Sequence, residues 1–136
     1  MADLETHREL SRQLLAEMRR AQREDGQWPV VVDAGFYAVF HALEALNALE
    51  CRDAYTFADA VDILERLLAP RYLGEAFVRE YEYLFYFRRG ALYGAHIPSA
   101  EQLAGYVAAS ERAWAHVTAA LDGQRARAEQ GGSRHA

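Results

Sequence analysis

The sequence predicts an all-α, up-and-down bundle of four or five helices. Three observations lead there. Apolar residues recur three and four apart through most of the chain, the spacing of one helix face. Short breaks of glycine, proline and polar residues separate those stretches. The one run that resembles a strand, Val30-Val31-Val32, is short and has no second strand to pair with.

The first helix is expected from about Asp3 to Gln22. Leu4, Leu10, Leu14, Leu15 and Met18 form its apolar face, and Arg8, Arg12, Arg19, Arg20 and Arg23 fall on solvated faces. Glu24-Asp25-Gly26-Gln27-Trp28-Pro29 breaks it. The second helix is expected to start near Asp33 as its N-cap and run to about Glu50, with Phe36, Val39, Phe40, Leu43 and Leu46 inward. After a turn at Asp53 to Tyr55, Thr56 and Asp59 suit the start of a third helix. Phe57, Val61, Leu64 and Leu68 mark it, and Pro70 ends it.

The fourth helix is expected from about Gly74 to Tyr93. Aromatic residues lie on both its sides, among them Phe77, Tyr81, Tyr83, Phe85, Tyr86 and Phe87. Two such faces suggest one set against the core and one against a partner subunit or a cleft. Ser99 and Gln102 have the spacing of a capping box for the fifth helix, which carries Leu103, Val107, Ser110, Trp114, Val117 and Leu121 at helical intervals. The polar remainder, 122–136, is expected to be a disordered tail, leaving 1–121 as the single domain.

Composition bounds the function. At 136 residues there is room for one domain, and 51% hydrophobic residues supply its core. No apolar run is expected to approach the roughly 20 residues that cross a bilayer. The start, MADLETHRELSRQ, lacks the basic and apolar segments of a signal peptide. Cys51 is the single cysteine, which excludes an internal disulfide and a multi-cysteine zinc site. The expected localisation is therefore cytoplasmic, with no membrane partner and no cofactor. A net charge of −5 weighs against general affinity for a nucleic-acid backbone. All 15 basic residues are arginine, however, which suits bidentate phosphate contacts at a local site.

Two groups of residues carry chemistry. His41 and Glu44 are three apart in FHALEAL and share a face. Two ligands are too few for a metal, and nothing in the sequence places His116 beside them, so no metal site is assigned. The second group lies in YFRRGALYGAHIP, where Arg89, Tyr93 and His96 are spaced by four and three. If the helix persists past Gly94, the three share one face. An arginine offsets developing phosphate charge, a histidine moves a proton near neutral pH, and a tyrosine orients a phosphate or stacks a base.

These segments resemble a HEPN domain. DAGFYAVFHALEAL is similar to that family's second helix, an aromatic-rich Tyr-Tyr-Ala-x-Phe-His-Ala run ending in Ala-Leu. Phe36, Tyr37, Ala38, Phe40, His41, Ala42, Ala45 and Leu46 carry the match. RRGALYG resembles the family's later arginine motif, and the likeness spans about residues 5–121. Two registers compete within the motif. Ribonuclease members have an arginine, four to six residues, then a histidine; Arg89 and His96 meet this at its upper limit, with Gly90 where a polar residue is usual. Members paired with a small nucleotidyltransferase have an arginine followed five residues later by Tyr-Gly; Arg88, Tyr93 and Gly94 match, with Leu92 in place of the usual acid.

The resemblance implies a homodimer in a toxin–antitoxin or defence setting, with one of two functions. As a binding module, Arg88, Tyr93, Tyr37 and His41 would hold a nucleotide, an RNA or a nucleotidyltransferase partner. As a metal-independent endoribonuclease, Arg89 would stabilise the phosphorane and His96 would act as general acid or base. The acidity, Gly90 and the closer Tyr-Gly register favour the binding module. A metal-binding bundle based on His41 and Glu44 ranks third.

Overall fold

The structure is a computed structural model that describes residues 3–49, 73–94 and 96–134. The described residues are helical throughout apart from caps and short connections: α1 Leu4–Gln22, α2 Trp28–Leu49, α3 Gly74–Leu92 and α4 Ala100–Arg134. The expected third helix, from Thr56 to Pro70, lies outside them, as does Cys51.

Local chemistry sets the ends. Asp3 caps α1, its Oδ1 accepting from the Thr6 amide at 2.8 Å. The expected capping box opens α4: Gln102 Oε1 accepts from the Ser99 amide at 2.8 Å, and the Gln102 amide donates to Ser99 Oγ at 3.1 Å. Gly26 turns the chain between α1 and α2 at φ 76°, and Gly74 opens α3 at φ 82°, both left-handed conformations that glycine adopts freely.

Two boundaries differ from expectation. α2 begins at Trp28, not at Asp33. Pro29 falls in its first turn, where a missing amide costs no hydrogen bond, so the proline that ends the preceding loop also starts the helix. Val31 and Val32 are fully buried there, and packing overrides their strand preference. α4 runs past Leu121 to Arg134, where a disordered tail is expected. Its alternating alanine, arginine and glutamate are strong helix formers. Arg8–Asp122 at 3.0 Å and Arg125–Glu5 at 2.8 Å tie the extension to α1.

α2 is the central element and packs against α1, α3 and α4. By length and composition it is apolar enough to cross a membrane, at a mean hydropathy of 1.3, which corrects the expectation that no run comes close. Within the bundle, 67% of that stretch is buried, the state of a core helix. From Val31 to Asn47 every residue is buried except Asp33, Tyr37, His41 and Glu44. Their spacing of four, four and three makes one polar seam along a helix that is otherwise core.

Burial on this scale brings side chains of α1 and α4 onto the backbone of α2. Tyr106 Oη donates to the Val32 carbonyl at 2.6 Å. Ser11 Oγ donates to the Ala38 carbonyl at 2.7 Å and accepts from Trp114 Nε1 at 2.7 Å, linking α1, α2 and α4. The helices pack closely at Gly35. A Cβ there would lie 2.9 Å from Met18 Sδ and 3.0 Å from both Ser110 Oγ and Tyr106 Cε1. Gly35→Ala should therefore destabilise the fold by about 1–3 kcal/mol, despite alanine's higher helix propensity. Urea denaturation checks this; a midpoint at or above the wild type would refute the close packing.

Candidate functional site

The seam of α2 meets partners at both ends. At the Asp33 end, α3 delivers Arg88, whose side chain is only 13% exposed. Its Nε donates to Asp33 Oδ1 at 2.9 Å, and one Nη reaches Tyr37 Oη at a long 3.4 Å. The guanidinium carbon lies 4.9 Å from the Tyr37 ring centre, 5.4 Å from Phe36 and 5.7 Å from Tyr93, within cation–π range of all three. Burial works against the charge, but the Asp33 hydrogen bond and negative charge, with Tyr37 and Tyr93 beside them, outweigh it and hold the arginine's pKa above its ordinary value.

Arg88 stands between two surface cavities. One, of about 570 Å³, is lined by apolar residues of α1, α2 and α3 together with Glu17, Asp33, Arg88 and Tyr93. The other, of about 340 Å³, is lined by Tyr37, Phe85, Arg88, Arg89 and Tyr93. Tyr93 is 74% exposed and borders both, so its ring offers a free face to a planar group.

The end of α3 decides where the other predicted residues go. The helix stops at Leu92 with Tyr93 as its cap. The Gly94 amide donates to the Arg89 carbonyl at 3.2 Å and the His96 amide to the Gly90 carbonyl at 3.3 Å. A Cβ on Gly94 would sit 2.7 Å from the Gly90 carbonyl oxygen, so this tight exit requires glycine. The condition that would place Arg89, Tyr93 and His96 on one helical face is not met. His96 is exposed in the non-helical segment before Pro98 and does not line the Arg89 cavity. The structure thus gathers Arg88, Tyr93 and Tyr37, places Arg89 at the rim of the same cavity, and leaves His96 outside it.

At the other end of the seam, His41 meets His7 of α1, which the sequence reading did not single out. Their Nδ1 atoms are 3.1 Å apart, with the rings stacked at 5.3 Å. One Nδ1 must donate and the other accept, so the pair cannot be doubly protonated in this geometry. Glu44 Oε2 is 3.9 Å from His7 Nε2, too far for a hydrogen bond, and Glu44 Oε1 is buried with no partner among the described residues. His116 is elsewhere, edge-on to Phe77. Among the described residues no group of three or more His, Cys, Asp or Glu is arranged to hold a metal.

Burial lowers the pKa of His7, against a smaller opposing pull from Asp3. Burial and the neighbouring His7 push His41 down to about 4. Burial raises Glu44. The unfolded chain therefore binds more protons than the native one between about pH 6.5 and pH 4 through these imidazoles. The stability they carry is present above the unfolded histidine pKa and is lost as pH falls through that window. Glu44 acts oppositely: its neutral form is favoured in the fold, and its contribution declines as pH rises through its raised pKa. Thermal melts should show the wild type losing stability on acidification more steeply than His41→Gln. Parallel profiles for the two proteins would show that the histidine pair does not carry this dependence.

The second sequence register, Arg88 with Tyr93 and Gly94, is thus the one whose residues converge in space. The chain matches no family model, no curated protein and no solved structure.

Proposed function

We propose that this chain is a HEPN-type helical module that binds a nucleotide or an RNA through Arg88, Tyr37 and Tyr93. One observation carries the reading: a buried, aromatic-flanked arginine and an exposed tyrosine share the walls of one cavity, with a second arginine at its rim. Arginine supplies phosphate recognition and the tyrosine face supplies stacking, a combination that suits a nucleotide. His41 lies farther along the seam, its ring centre 6.3 Å from that of Tyr37, and orients rather than contacts. The acidic net charge fits a local site better than a track along a nucleic-acid backbone.

The module acts as a homodimer in the cytoplasm, in a toxin–antitoxin or defence setting, and a nucleotidyltransferase is its expected protein partner. Exposed Tyr86 and Ile97, on α3 and beyond it, support a face that a second subunit covers. The competing reading, a metal-independent endoribonuclease using Arg89 and His96, needs a proton donor beside the bound phosphate, and His96 is off the cavity wall.

Calorimetric titration with AMP and with a short oligoribonucleotide tests the binding reading. The wild type should bind, and Arg88→Ala or Tyr93→Ala should weaken binding by about tenfold or more, a loss of a cation–π or stacking contact plus an ionic hydrogen bond. His96→Ala should bind as the wild type does. RNA cleavage by the pure protein in the presence of a chelator, abolished in His96→Ala, would instead establish the ribonuclease. Light scattering at micromolar concentration should give a dimer; a monomer of about 15 kDa would overturn that element.

A further inference from the structure

The Asp33–Arg88 pair is unequal. Arg88 is largely enclosed, but the Asp33 side chain is 49% exposed. The carboxylate takes one good hydrogen bond, from Nε, while one Nη makes the long contact to Tyr37 and the guanidinium also meets the Phe36, Tyr37 and Tyr93 rings. A guanidinium offers five N–H donors in a fork that matches two oxygens of a carboxylate or phosphate. Here Asp33 engages the side nitrogen from the larger cavity, and the same guanidinium also lines the smaller cavity with Arg89 and Tyr93. The half-exposed carboxylate, with one good hydrogen bond, is the member of this pair that a stronger anion can replace.

We infer that Asp33 is a built-in competitor for the anion site: its carboxylate occupies the Arg88 guanidinium in the empty protein, and a ligand binds by displacing it. The inference rests on the nucleotide-binding reading and deepens it by naming the ligand class. A group that must displace a carboxylate gains most when it carries more than one negative charge. A terminal phosphomonoester carries about −1.5 to −2 at neutral pH and has three strong acceptor oxygens. An internal phosphodiester carries a single charge and exchanges with Asp33 at no electrostatic gain. Arg89, exposed one residue along α3 and without an ion pair among the described residues, supplies the second positive charge that a dianion uses. The site thus selects a terminal phosphate, on a free nucleotide or at an RNA end, and Tyr93 stacks the adjoining base.

Asp33→Asn removes the competing charge and keeps the side-chain shape. Binding of AMP, of an oligoribonucleotide bearing a 5′-phosphate and of the same oligonucleotide with a 5′-hydroxyl should be measured by calorimetry for the wild type, Asp33→Asn, Arg88→Ala and the double variant. The wild type should prefer both phosphomonoesters to the 5′-hydroxyl strand. AMP alone bound identifies a free-nucleotide site, and both phosphomonoesters bound identifies the terminal phosphate wherever it sits. Asp33→Asn should tighten binding by about tenfold and narrow the preference, because the singly charged phosphodiester no longer faces a rival. The double variant should show no gain, since the effect passes through Arg88. Binding by Asp33→Asn when the wild type shows none would be the strongest form of the result. Unchanged or weaker binding in Asp33→Asn, with Arg88→Ala still impaired and the melting temperature preserved, would overturn the competitor and leave the nucleotide reading intact. No binding by any of the four proteins would overturn both.

Discussion

The burial of α2 is the constraint on which everything else rests. A helix enclosed on nearly all sides must have its neighbours close and its polar groups matched, because an unpaired polar atom in such a place costs about 1–3 kcal/mol. Gly35 lets Met18, Tyr106 and Ser110 approach from α1 and α4. Tyr106 and Ser11 serve carbonyls of α2 from outside the helix, and Trp114 completes the Ser11 contact. The titratable groups of α2 are confined to the seam, so any chemistry this helix performs is performed along that line. Its two ends differ in kind. One is a charged pair beside two open cavities, and the other is a neutral histidine pair beside a buried carboxylate.

The site depends equally on the way α3 ends. Arg88 points back toward α2 and is held there by Asp33 and three aromatic rings. Tyr93, the capping residue, stays in the solvent and still lies within 5.7 Å of the same guanidinium. Gly94 makes this compatible with a sharp exit, because any larger residue would press on the Gly90 carbonyl. The Tyr-Gly pair thus has a physical meaning in this chain: the tyrosine stays exposed beside Arg88, and the glycine is the close turn that allows it.

Much of this was legible in the sequence because helix periodicity is a strong signal when burial is one-sided. The span of α1, the capping box of α4 and the span of α3 follow from spacing and cap chemistry alone. The start of α2 was not, since a proline can close a loop or open a helix and the surrounding valines favour neither. Asp33 illustrates the cost. As an expected N-cap it had a local task and no reason to be sought elsewhere, whereas five residues inside the helix it becomes the partner of an arginine 55 positions away. His7 was hidden differently, as one polar residue among many on α1, and only the packing of α1 on α2 brings it to His41. The polar seam itself was readable: Asp33, Tyr37, His41 and Glu44 recur at helical spacing in a stretch otherwise apolar. The run of α4 to Arg134 shows the opposite error, where polar composition was weighted above helix propensity.

Helix geometry divides the two adjacent arginines between the inside and the outside of the bundle. Successive residues of a helix point about 100° apart, so Arg88 and Arg89 cannot both face α2. Arg88 takes the inward direction and becomes part of the fold's polar wiring; Arg89 takes the outward one and keeps its charge for solvent or ligand. A histidine able to work with Arg89 would have to follow it on the helix surface, and the helix ends before His96 is reached. A tyrosine five residues after Arg88, by contrast, needs only one further turn, which α3 supplies before it stops. The same break that takes His96 off the helix leaves Tyr93 exposed beside Arg88.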